Sequence, residues 1–113
     1  MNLLTVSNSP ADEEICEILW QGRNVRVERI LSAGQTSPSG FWYDQPETEW
    51  LTVLDGCGEV EMETGELHRL YKGDTLLIPA HARHRVSYTS TEPPCIWLCV
   101  FGEEASDADS GGR

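Results

Sequence analysis

A chain of 113 residues is long enough to bury one hydrophobic core and too short for two independent ones. Nineteen acidic against eight basic residues give a formal charge of −11, with the basic residues scattered, which argues against the positive surface that nucleic-acid phosphates require. The start MNLLTVSNSP has neither the basic region nor the apolar run of a signal peptide, and no segment has the apolar length of a membrane span, so a cytoplasmic location without membrane contact is expected.

Residues 1–13 read as an N-terminal extension. From residue 14 onward, turn signals (SAGQTSPSG, LDGCGE, ETGE, YKGD, STEPP) separate short runs of apolar and β-branched residues. The runs are EICEILW (14–20), NVRVERIL (24–31), FWYDQ (41–45), EWLTVL (49–54), EVEME (59–63), LHRLY (67–71), TLLIP (75–79), HRVSYT (84–89) and CIWLCVF (95–101). Nine short strands without an amphipathic helix point to an all-β sandwich or barrel spanning 14–102. The closing stretch 103–113, small and acidic with almost nothing to bury, reads as a disordered tail.

Alternation along the strands assigns faces. In EWLTVL, Glu49 shares a side with Leu51 and Val53, an arrangement that demands a partner for the carboxylate if that side is interior. Trp50 and Leu54 share the opposite side, and two-sided apolar strands of this kind, with CIWLCVF, imply a homodimer. In HRVSY, His84, Val86 and Tyr88 share a face, whereas Arg83 and Arg85 fall opposite His84 and suit a solvated or interface role. The four cysteines, Cys16, Cys57, Cys95 and Cys99, form no CxxC pair and read as free thiols in apolar surroundings. Cys95 and Cys99 on one strand stand about 13 Å apart, too far for a disulfide or a shared metal.

Two segments resemble the cupin superfamily. In the first, Glu49 and Gly56 enclose six residues, the spacing of the superfamily's Glu and Gly after its His-x-His pair. In the second, GDTLLIPAHARH, the positions Gly73, Pro79 and His84 match; His81 replaces a glycine and Tyr88 stands where Asn is usual. The resemblance implies a double-stranded β-helix, or jelly-roll barrel, with a site inside it. It also implies a metal held by three His and one Glu, of which Glu49 and His84 remain. The two permitted spacings put either Tyr43 and Gln45 or Trp42 and Asp44 where His-x-His stands, and neither pair contains histidine.

The leading reading is a small cupin whose barrel pocket takes a small molecule through Glu49, His84, Tyr43, Gln45 and Tyr88, or weakly holds a divalent metal (Zn, Mn, Fe or Ni) through Glu49, His84 and Asp44. Two alternatives stand beside it: a metal-dependent dioxygenase- or isomerase-type enzyme with a rebuilt ligand set drawn from Asp44, Gln45 or His81, and a structural or regulatory module. Trp42, Tyr43, Trp50 and Trp97 are the aromatics available to a pocket, a core or an interface.

Overall fold

The computed structural model describes residues 1–105. The expected tail thus falls mostly outside the described residues. Among the described residues eight strands form: β1 (Ile15–Gly22), β2 (Val25–Ser32), β3 (Thr48–Asp55), β4 (Cys57–Met62), β5 (Leu67–Tyr71), β6 (Thr75–Ile78), β7 (His84–Thr89) and β8 (Cys95–Gly102). A five-stranded antiparallel sheet, β1-β2-β8-β3-β6, faces a three-stranded one, β5-β4-β7, giving the all-β architecture read from the strand pattern and the jelly roll implied by the resemblance. No described helix is long and apolar enough to cross a membrane.

The expected strand over 41–45 does not form. Gly40 at φ 80° turns the chain away, and Pro46 lacks the N–H that a continuing ladder would need. What remains is one bridge, with Tyr43 N–H donating to His84 O at 2.7 Å and His84 N–H returning to Tyr43 O at 3.2 Å. Phe41 packs edge-on against Tyr43, ring centroids 4.9 Å apart. The segment acts as a strap over one end of β7.

Between the sheets, Leu51, Val53, Val60, Leu70, Ile78, Cys95, Trp97, Cys99 and Phe101 form the core. Burial of each large side chain there contributes about 1.5–3 kcal/mol. Trp97 sets the local spacing, because a Cβ on Gly58 would lie 2.3 Å from its ring. The N-terminal extension also packs onto the body: buried Arg29 donates to Leu3 O at 3.1 Å and Thr5 O at 2.9 Å while pairing with Glu17 at 2.6 Å.

On the outer face of the large sheet an apolar row runs through paired positions, Trp20 to Val27, Val27 to Val100, Val100 to Trp50 and Trp50 to Leu77. Leu54 is not part of it. The ladder to β8 slips between Val53 and Asp55, and Leu54 is half-buried there.

Gly58→Ala should lower stability by about 1–3 kcal/mol, since the added methyl would displace the Trp97 ring and crowd Cys95 Sγ at 3.2 Å. Urea denaturation followed by tryptophan fluorescence measures it. An unchanged midpoint would show that the ring yields freely.

Candidate functional site

Cross-strand register builds the interior in rows. Arg26, Phe101 and Glu49 stand side by side on β2, β8 and β3; Glu28, Cys99 and Leu51 form the next row. On the facing sheet, Val60 pairs with Val86 and Met62 with His84. A cavity of about 280 Å³ lies between them, with Glu49, His84, Tyr43, Gln45, Trp97 and Cys99 among its lining residues. Its exposed members, Glu14, Cys16 and Tyr43, mark the mouth; buried Glu49 and His84 lie deeper.

Glu49 and His84, distant in the chain, meet across the cavity, with Nε2 of His84 3.6 Å from Oε1 of Glu49 and both side chains at most 8% exposed. That separation suits an ion pair but exceeds a direct hydrogen bond. Nδ1 of His84 lies 2.8 Å from Ala82 O. A carbonyl can only accept, so Nδ1 carries a proton, and a neutral ring would then turn a bare Nε2 lone pair toward the carboxylate. Imidazolium satisfies both contacts. Burial disfavours the charged ring, but the adjacent Glu49 carboxylate and the Ala82 carbonyl together hold its pKa above the ordinary histidine value. Tyr43 stacks on the ring with centroids 5.5 Å apart and fixes its orientation.

The structure distinguishes the two alignments of the strap. Tyr43 and Gln45 line the cavity, so the positions grouped by the motif are Tyr43, Gln45, Glu49 and His84. Asp44 points outward. It bonds exposed His81 at 2.7 Å, across side chains that are 50% and 68% exposed, and so lies apart from the Glu49–His84 pair with which it was grouped as a metal ligand. His81 holds φ 63°, the left-handed region that glycine favours, at a position where the motif has glycine.

Tyr88 also departs from expectation, because β7 carries a bulge. Glu59 pairs with Tyr88 but Val60 pairs with Val86, leaving Ser87 as the extra residue. The alternation therefore breaks after Val86: Tyr88 faces outward under the Arg69 guanidinium, 4.2 Å from its ring centroid, and Thr89 turns in. Arg83 and Arg85 pair with Glu63 and Glu61 at 3.0 and 2.8 Å, away from the cavity. Of the aromatics, Tyr43 and Trp97 line the cavity, whereas Trp50 lies on the outer face.

Several lining residues escaped the sequence reading: Glu14, Cys16, Arg26, Glu28 and Cys99. The signal for two was present, since Arg26, Glu28 and Ile30 alternate on one side of NVRVERIL. Arg26 pairs with Glu28, contacts Glu47 at 3.1 Å and lies over Phe101 at 4.3 Å. The thiols are poor nucleophiles: burial raises Cys99 well above its usual range, and burial with the charges of Glu14 and Glu28 raises Cys16.

Nor do the residues fit the superfamily's metal. Among the described residues, no three His, Cys, Asp or Glu side chains are arranged to hold one, and amide and phenol replace two imidazoles beside Glu49 and His84. What the pair can do is hydrogen-bond chemistry. A buried donor and a buried acceptor, too far apart to satisfy one another, can both engage a group placed beside the pair in the cavity and exchange a proton with it.

Comparison with known proteins agrees with this fold. A protein from Ralstonia eutropha JMP134, provisionally assigned as a mannose-6-phosphate isomerase, is 39% identical and superposes with a TM-score of 0.86 over 92% of this chain and 97% of that one. L-ectoine synthase of Mycolicibacterium vanbaalenii is 41% identical over 66 residues, 58% of this chain and 48% of that enzyme. The RCS-specific HTH-type transcriptional activator RclR of Escherichia coli strain K12 is 36% identical over 47 residues, 42% of this chain and 16% of the activator. The chain thus spans less than half the length of either curated relative. The cupin domain family matches residues 28–101, most of the barrel, and the chain belongs to that family.

Proposed function

We propose that this protein binds a small organic molecule inside the barrel, with Glu49 accepting and His84 donating hydrogen bonds to one polar group of the ligand. The observation that carries the reading is the buried pair facing across 3.6 Å at a cavity of about 280 Å³. A stability role explains it poorly, because taking two charges out of water costs several kcal/mol per ion and apolar side chains of similar volume would serve a core as well. The same pair is equipped for general acid–base transfer, His84 giving a proton and Glu49 taking one. The isomerase assignment and synthase name of two relatives support that extension, and the activator supports a ligand-sensing use. Metal-dependent chemistry of the dioxygenase type is disfavoured by the donor set. A cytoplasmic location belongs to the same proposal, supported by free thiols at Cys16, Cys57, Cys95 and Cys99.

Thermal shifts across a panel of small metabolites test the reading. A ligand should raise the melting temperature of the wild type, and His84→Gln or Glu49→Gln should weaken its binding by about ten- to a hundredfold, the scale of one lost charge-assisted hydrogen bond. Zinc, manganese, iron(II) and nickel in the same panel should give no stoichiometric binding. One metal equivalent per chain, lost in His84→Ala, would contradict the metal-free reading.

We also propose that the apolar row on the large sheet seats a second copy of this chain. Trp20 and Leu77, 59% and 57% exposed at the two ends, flank Trp50 at 40%, and a two-fold axis near the middle would lay each end on the other. Light scattering should report about twice the chain mass, and Leu77→Asp, at an exposed site, should give folded monomer. Monomeric wild type at micromolar concentration would remove the interface.

A further inference from the structure

The charges around the cavity bear on which ligand it takes. Two basic side chains line it, Arg26 and His84, against three carboxylates, Glu14, Glu28 and Glu49. Both cations are already engaged. Arg26 meets Glu28 and Glu47 while covering Phe101, and His84 faces Glu49 and the Ala82 carbonyl. A phosphate or carboxylate entering here would have to displace a protein carboxylate from its partner, or else sit beside Glu14 and Glu49 without compensation.

The carboxylates have spare capacity. Glu49 is buried to 6% exposure with its closest described basic atom beyond hydrogen-bond reach. Glu14 forms no described ion pair and lines the mouth of the cavity together with Tyr43. Partial desolvation at the cavity mouth pushes the Glu14 carboxyl up, as expected where no cation balances it. The overall charge of −11 favours the approach of a cation.

We propose that the ligand of this cavity is a small organic cation bearing an amine, its ammonium held near Glu14 and Tyr43 and its polar remainder reaching Glu49 and His84, and that phosphorylated sugars are rejected. This rests on the pocket-binding reading above and adds the charge of the ligand. It also separates this chain from a substrate such as the one named for its Ralstonia relative, at a barrel of closely similar shape.

Two charge-graded triplets provide the test: glucosamine, glucose and glucose 6-phosphate; and 1,4-diaminobutane, 1,4-butanediol and succinate. Each is titrated into the full chain while the His84 imidazole signals are followed by NMR. In a triplet that binds, the amine should be tightest, by about fivefold or more over the anion at low salt, with the gap narrowing as salt is added. Glu14→Gln should remove that preference by weakening the amine several-fold more than the neutral compound, while Glu14→Asp should retain it. Equal or tighter binding of glucose 6-phosphate or succinate would overturn the charge assignment and leave pocket binding intact. Failure of all six to perturb His84 would count against both.

Discussion

The function proposed for this barrel depends on a carboxylate and an imidazole held apart in the interior. Glu49 and His84 belong to different sheets, so the distance between them is set by the spacing of the sheets, not by either strand. The ring is further fixed from three directions: the Ala82 carbonyl holds Nδ1, Tyr43 stacks on one face, and two backbone hydrogen bonds tie Tyr43 to His84 itself. A ring so constrained cannot swing to close the 3.6 Å gap, which leaves hydrogen-bond capacity facing the cavity.

The strap over 41–45 follows from the same constraint. Were it a full strand, Tyr43 and its neighbours would enter a regular ladder; as a loop anchored by one bridge it brings Tyr43 and Gln45 to the cavity while Asp44 leaves for His81. The substitution of phenol and amide for two imidazoles thereby exchanges a set of metal donors for a stacked aromatic and a neutral hydrogen-bonding group. Together with Arg26, already neutralised by two glutamates, this gives a cavity that is polar, acidic on balance and without an unengaged cation among its described lining residues.

Much of the fold could be read from the sequence because short alternating runs and glycine turns are local signals. The convergence of Glu49 and His84 was readable too, since strand parity placed each inside and the motif related the two segments. Parity fails where a ladder slips, and no local signal marks the slip: the extra residue Ser87 turns Tyr88 outward, and the irregularity beside Leu54 removes it from the apolar row. Arg26 and Glu28 were missed for a different reason. Charged residues on an edge-like strand usually mean solvent, and only the pairing of β2 between β1 and β8 shows that their side faces the cavity.

The most direct measurement is the pH titration of the His84 imidazole by NMR in the wild type and in Glu49→Gln. With the folded pKa raised by Glu49 and Ala82, the stabilisation from the charged ring is fully present below the ordinary histidine value of about 6.5 and is lost as pH rises through the folded value. The account predicts a wild-type midpoint above that ordinary value and a clear fall on removing the Glu49 charge. A midpoint at or below it, unmoved by Glu49→Gln, would contradict the buried ion pair on which the site is built.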